Sequence, residues 1–293
     1  MFKGTGTALI TPFDNDLNVD YEALRKIVNF QVEGGVDSLI VLGTSGETPC
    51  LSFEEKEKIL SVISETVNKK IPIIVGTGSN NTNEVVKLNS LAEKYKADGA
   101  LIVTPYYNKG TQESTIKHYE YISERTTLPI MLYNVPYRTG LNLVPQTVYR
   151  IAEKCKNVVA IKEASANISQ IAQLFSIMPS EFEIYSGNDD QALPIMAMGG
   201  MGVISVFSNA YPKEMKILTD LIIGNNFSDA RKLCNRYIPM MNLMFAETSP
   251  APVKFIMSLM GLCKNTFRLP LDSVTDKTKE ILKKAFENFP EGN

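Results

Sequence analysis

Histidine is nearly missing from this 293-residue chain: His118 is the only one. A centre built on several histidine ligands, such as a His₃ zinc site or an H-E-x-x-H helix, cannot be assembled within one chain, which excludes a metal-dependent aldolase of that type. A Ser-His-Asp triad would have to use His118. That residue lies in the polar stretch Glu113–Glu124, which predicts a helix carrying a surface histidine. Cysteine is sparse as well. Cys50, Cys155, Cys234 and Cys263 form no C-x-x-C and no metal-ligand spacing, so free thiols in a reducing compartment and no bound metal are expected.

Charge of one sign is also lacking. Thirty Lys+Arg stand against 32 Asp+Glu, for a net charge of −2, and no basic run occurs. That argues against nucleic acid or an anionic membrane as partner. The longest apolar stretch, Ala192–Phe207, is interrupted by Pro194, Gly199, Gly200 and Gly202 and is too short to span a bilayer. The segment Met1–Thr7 has no apolar leader core. The expectation is a soluble cytoplasmic protein.

What is present is ordinary globular composition, 44% hydrophobic and 21% charged. The length allows two ordinary domains or one α/β barrel with an appendage. Short, β-branched apolar runs decide between them: Thr5–Ile10, Ser38–Leu42, Ile73–Gly76, Ala100–Val103, Ile130–Tyr133, Val158–Ile161, Glu183–Tyr185 and Val203–Val206. Near-continuous hydrophobicity marks strands buried on both faces of a parallel sheet. Their starts recur every 20 to 35 residues, one βα unit per step.

Helix punctuation fills the gaps. Ser52-Phe53-Glu54-Glu55 is a capping box ahead of the stripe Ile59, Leu60, Ile63 and Val67. Pro145 sits at a first helical position, Asn167 at a cap, and Gly224 at a helix end. Eight such units predict a closed (β/α)8 TIM barrel over residues 1–224. The open doubly wound alternative usually carries a G-x-G-x-x-G after its first strand, and none is present. Residues 225–293 predict a three-helix extension: Phe227–Phe245, Pro250–Gly261 and Asp276–Phe289.

Chemistry in such barrels sits at the C-terminal strand ends. Lys162 closes the sixth apolar run. Loss of hydration there should lower its pKa, and an uncharged amine can form a Schiff base with a ketone, which supplies an electron sink without any cofactor. A snorkelling or salt-bridged lysine is the other reading. Lys254 also has apolar neighbours, but it falls in the extension, off the rim. Tyr133 ends the neighbouring strand and can either carry protons or pack in the core. Gly43-Thr44-Ser45-Gly46 offers hydroxyls and backbone N–H groups to a carboxylate or a phosphate, or is merely a tight turn. Arg138 can clamp a second carboxylate or be a plain loop residue.

Taken together, Gly43–Glu47, Thr104-Pro105-Tyr106-Tyr107-Asn108, Tyr133-Asn134-Val135-Pro136, Arg138-Thr139-Gly140, Ile161-Lys162-Glu163-Ala164 and Gly202–Ser205 resemble the pyruvate-dependent class I aldolase superfamily, and within it the dihydrodipicolinate synthase family. The resemblance runs along the whole chain, including Pro252-Val253-Lys254. It implies a cofactor-independent condensation of pyruvate with aspartate semialdehyde to 4-hydroxy-tetrahydrodipicolinate, in lysine and diaminopimelate biosynthesis. Lys162 would hold pyruvate as a Schiff base and Tyr133 would pass protons. Thr44 would link Tyr133 to a Tyr107 reaching in from a neighbouring subunit. Ser45 would bind the pyruvate carboxylate, Gly187 and Ile204 would line the site through backbone, and Arg138 would hold aspartate semialdehyde. Ser45 stands where the family often has threonine, and the hydroxyl is kept.

A homotetramer built from tight dimers is implied too. Sibling enzymes, an N-acetylneuraminate lyase or a 2-keto-3-deoxy sugar-acid aldolase, share the Lys162/Tyr133 pair; the Thr44-Ser45 order and Arg138 favour the synthase. A phosphate-binding barrel isomerase lacks its phosphate loop here, and a non-catalytic ligand-binding barrel would leave Lys162, Tyr133, Thr44 and Arg138 together by coincidence. Regulated synthases bind lysine near the positions of Thr48, Pro49, Phe53, Lys56, Asn80, Glu84 and Tyr106, often with histidine in the helix that follows the second strand. Phe53 and Lys56 depart from that pattern, so weak or absent lysine inhibition is expected.

Overall fold

A computed structural model describes residues 1–289. Eight parallel strands close into a barrel in chain order. They are β1 (Gly4–Ala8), β2 (Ser38–Val41), β3 (Ile73–Gly76), β4 (Gly99–Val103), β5 (Ile130–Asn134), β6 (Val158–Glu163), β7 (Glu183–Ser186) and β8 (Gly202–Ser205), with β8 paired back to β1. The expected (β/α)8 barrel is therefore the fold, with strand bounds moved by one or two residues.

Helices return the chain around the outside. They are α1 (Tyr21–Glu33), α2 (Phe53–Val67), α3 (Thr82–Lys94), α4 (Gln112–Ser123), the short α5 (Pro136–Thr139), α6 (Pro145–Lys154), α7 (Ile168–Ile177), α8 (Ala192–Ala197) and α9 (Pro212–Ile223). The punctuation acts as read. Ser52 and Glu55 form a reciprocal capping box, Pro145 occupies the first turn of α6, and the Asn167 side chain accepts from Gln170 N–H.

The sheet has two apolar faces, which explains its unbroken hydrophobic runs. Ile40, Ile74, Leu101, Met131, Ala160, Tyr185 and Ile204 fill the barrel. Their neighbours Leu39, Val75, Ile102, Leu132, Ile161 and Val203 pack outward against the helices. Each such side chain contributes about 1.5–3 kcal/mol by leaving water. The barrel closes where Gly202 meets β1: a Cβ there would lie 2.0 Å from the Gly4 carbonyl oxygen, so only glycine fits.

One irregularity has functional weight. Ile130 pairs with Val158, but Met131 pairs with Ala160, so β6 gains a residue relative to β5. A one-residue slip changes the face a side chain takes. The slip turns Lys162 inward beside Tyr133, its register partner. Without it, Ile161 would stand opposite Tyr133.

Three further helices follow: α10 (Phe227–Leu243), α11 (Ala251–Leu259) and α12 (Asp276–Glu287). Their buried residues Tyr237, Met241, Val253, Ile256 and Leu282 belong to the same apolar cluster as the barrel helices. No helix among the described residues is long and apolar enough to cross a membrane. The cysteines are unpaired.

His118 departs from the expectation of a surface residue. It lies on the inner face of α4, 9% exposed, with Nδ1 2.9 Å from the Thr82 hydroxyl. Burial lowers its pKa to about 4. A stripe of Thr115, Ile116, Tyr119 and Ile122 carries this face, and the polar residues around it masked the pattern.

Candidate active site

The strand ends converge on one cavity. Thr44, Ser45, Tyr133, Arg138, Lys162 and Gly187 all line it. Lys162 reaches it from β6 and is 5% exposed. Its amine lies 4.4 Å from the centroid of the Tyr133 ring. Burial lowers its pKa to about 8, and the charge of Arg138 pushes the same way, while Tyr137 and Asp189 oppose. Desolvation is the largest cause of that shift, and the other causes are charges nearby rather than hydrogen bonds. Gly187 leaves the lysine room: a Cβ there would come within 3.1 Å of Lys162 Cε.

Tyr133, next to last in β5, has its phenol buried. Burial raises its pKa, against the pull of Arg138 and the Thr44 hydroxyl. The phenol therefore stays protonated and can give and retake a proton. The next residues outward brace the pair. Asn134 and Glu163 are also register partners, and Asn134 Nδ2 donates to both Glu163 oxygens at 3.2 and 3.0 Å. The Ser165 N–H adds a 2.7 Å bond to that carboxylate.

Thr44 and Ser45 lie in a single 3₁₀ turn, Thr44–Gly46, at the end of β2. Ser45 is buried. Arg138 comes from α5, a helix of one turn placed directly after β5 by Pro136. Its Nε donates to the Tyr137 hydroxyl at 3.1 Å and its Nη2 to the Ser249 carbonyl at 3.4 Å. These bonds set the guanidinium over the cavity mouth. Beyond it lies a wider chamber of ≈810 Å³ that shares Tyr137, Arg138 and Ser249. A third cavity of ≈340 Å³ reaches Thr44, Tyr133 and Arg138 from the other side, past Lys56, Glu84 and Tyr106; Lys162 is not in its wall.

Ile204 turns its side chain into the barrel core, and the Val206 side chain lines the cavity. Tyr107 is 92% exposed, with φ at +65°, and does not line its own chain's cavity. Within one chain, therefore, Thr44 and Tyr133 come together and Tyr107 does not join them.

Three residues escaped the sequence reading. Asp189 is buried, and its Oδ2 accepts from the N–H groups of Val206 and Phe207 at 3.1 and 3.0 Å. Burial raises its pKa to about 6 although these bonds and Lys162 oppose. It pins the β7 loop to the β8 loop and supplies negative charge facing Lys162. In the sequence Glu163 reads only as a neighbour of Lys162, and Glu47 only as the end of a turn. Lys254, placed off the rim from sequence, comes back to it: its amine lies 2.6 Å from Glu47 Oε1. A charged residue inside an apolar run was the available signal for Lys254. A lone acid in a polar loop gave none for Asp189.

This arrangement suits a carbonyl substrate held by an amine, with a proton carrier alongside and separate groups for two carboxylates. Comparison with known proteins agrees. Residues 1–289 match the Dihydrodipicolinate synthetase family. A 4-hydroxy-tetrahydrodipicolinate synthase of Thermotoga neapolitana is 49% identical, covering 97% of each chain. The crystal structure of dihydrodipicolinate synthase from Thermotoga maritima is 47% identical, covers 98% of each chain and superposes with a TM-score of 0.96. A structure described as the first monomeric dihydrodipicolinate synthase variant is also 47% identical, covering 98% of this chain and 96% of its own, with a TM-score of 0.95. By match along its length and by the residues at its strand ends, this chain belongs to the dihydrodipicolinate synthetase family.

Proposed function

We propose that this chain is a 4-hydroxy-tetrahydrodipicolinate synthase, a lyase that condenses pyruvate with L-aspartate 4-semialdehyde. The neutral Lys162 amine attacks the keto carbon of pyruvate. Tyr133 protonates the departing hydroxyl, water leaves, and an iminium remains. The Tyr133 phenolate takes a methyl proton to give an enamine and returns it to the aldehyde oxygen as the enamine carbon attacks the aldehyde of the second substrate. The neutral amino group of that substrate then attacks the iminium carbon and closes the ring; one of its protons passes to the departing Lys162 nitrogen and the other back to Tyr133. Electrons stay balanced throughout, because the iminium is the electron sink and no cofactor is required.

Ser45 takes the pyruvate carboxylate, with Gly187 and the backbone at Ile204 completing that wall. Arg138 takes the carboxylate of aspartate semialdehyde, bidentately. Thr44 passes protons between Tyr133 and Tyr107 of a second copy. The outward, exposed Tyr107 supports this assembly, since an aromatic side chain so exposed is suited to an interface. Tight dimers paired as a tetramer, in the cytoplasm, complete the reading.

The observation that carries the proposal is a buried lysine amine placed against Tyr133 in a cavity shared with Ser45 and Arg138. Borohydride reduction in the presence of pyruvate tests it. One pyruvate-derived group is expected on the peptide holding Lys162. An adduct on Lys254, or no adduct, would overturn the mechanism.

A further inference from the structure

A second buried lysine stands next to the first one's machinery, with its amine tied up in hydrogen bonds. Lys254, on α11, is fully buried, and so is its partner Glu47. The Lys254 amine donates to Glu47 Oε1 at 2.6 Å, to the Thr11 carbonyl at 3.1 Å and to the Thr266 carbonyl at 2.7 Å. All three of its protons are placed. The rings of Phe13 and Phe267 flank it at 4.6 and 4.5 Å. An amine so occupied is a poor nucleophile and a firm anchor.

Its three acceptors belong to three separate segments: the loop after β1, the turn after β2, and the stretch after α11. Glu47 follows Ser45 by two residues. Its own N–H donates to the Thr44 carbonyl at 3.1 Å, and its backbone holds φ at +52°, a conformation that side-chain-bearing residues rarely adopt. The turn needs outside support to stay that way. Thr11 supplies some, donating its hydroxyl to the Gly46 carbonyl at 2.8 Å. Arg268 adds more, giving its backbone N–H to Glu47 Oε2 at 3.3 Å and its guanidinium to Glu55 at the cap of α2. The bonds to Gly46 and Glu47 bear directly on residues next to Thr44 and Ser45.

We propose that Lys254 and Glu47 are positioning residues: their buried ion pair fixes the turn that presents Thr44 and Ser45, so the C-terminal helices complete the pyruvate end of the catalytic site. The proposal rests on the assignment of Ser45 to the pyruvate carboxylate and of Lys162 to the adduct. Arg138 is carried by α5 and bonds to neither Glu47 nor Lys254, although its Nη2 also reaches the Ser249 carbonyl just ahead of α11. The ion pair therefore acts first on the Thr44–Ser45 turn, the pyruvate end of the site.

Glu47→Gln is the first test, since it keeps the shape and an acceptor oxygen while removing the charge. Expected is a rise in KM for pyruvate and a fall in kcat, together roughly 10- to 100-fold, with KM for aspartate semialdehyde unchanged. No kinetic change, or a loss shared equally between both substrates, would overturn the positioning role. The double variant Glu47→Gln/Lys254→Met guards against simple misfolding, because it leaves no uncompensated buried charge. It is expected to melt near the parent while keeping the pyruvate defect, and recovery of both would overturn the proposal. Adduct mapping on the parent enzyme comes first. A parent adduct away from Lys162 would overturn the catalytic assignment and this proposal together; failure in the variants alone overturns only the clamp.

Discussion

Tyr133 and Lys162 are register partners on adjacent strands, with the lysine amine 4.4 Å from the centroid of the tyrosine ring. The extra residue in β6 makes them so. It places a proton carrier beside the amine and leaves that amine in a desolvated spot where its charge is costly.

Adduct formation should therefore depend on pH through Lys162. The amine is protonated below its pKa of about 8 and reactive above it. The initial rate of pyruvate trapping by borohydride should climb about tenfold per pH unit below about 7, bend near 8 and level off above about 9. A rate that is flat from pH 6 to 9 would show that the amine is already neutral or is not the nucleophile.

Arg138→Ala should separate the two substrates. Arg138 is exposed at the cavity mouth and bears on the aldehyde's carboxylate alone, so kcat/KM for aspartate semialdehyde should fall more than pyruvate trapping does. A variant that condensed the aldehyde as well as the parent would reduce Arg138 to a loop residue.

Assembly should be needed for full activity, since Tyr107 does not reach its own chain's cavity. Sedimentation at assay concentration should show dimers or larger species, and Tyr107→Phe should slow turnover without changing the sedimenting species. A fully active monomer would contradict this.

Free lysine should inhibit poorly. Lys56 lines the ≈340 Å³ cavity beside Glu84 and Tyr106, and Phe53 is taken up by the Lys87 amine 4.1 Å above its ring. A fixed ammonium repels the amine of a bound lysine by about 1 kcal/mol at 4 Å in water and more in drier surroundings. Half-inhibition below about 1 mM, near 4 kcal/mol of binding, would contradict the assignment of Lys56.

His118 should make the fold sensitive to acid. Its pKa is about 4 when folded, against 6.5 in the unfolded chain, so between these values the unfolded state binds the extra proton. Stability is lost as pH falls through that window, by about 2 kcal/mol between pH 7 and 5. Asp189, raised to about 6, acts in the opposite direction and remains in both proteins. The difference in melting temperature between the parent and His118→Gln should thus narrow or reverse from pH 7 to pH 5. A constant difference would count against a buried neutral imidazole.

The sequence by itself determined the barrel, because eight β-branched runs spaced by capped amphipathic helices leave few ways to bury both faces of a parallel sheet. It also determined which residue types stand at the strand ends, since those ends follow directly from the runs: Thr44, Ser45, Tyr133, Arg138, Lys162 and Gly187 were all legible there. Tertiary structure alone decided their relations. The strand slip that sets Lys162 against Tyr133 depends on packing between β5 and β6, and hydropathy does not encode a one-residue offset. His118 looked exposed because its helix is polar on three sides. Asp189 and Glu47 looked like loop acids because their partners are backbone N–H groups of another loop and an amine distant in sequence. Lys254 looked remote for the same reason: an ion pair spanning 207 residues forms only when the last helices fold back over the first strands.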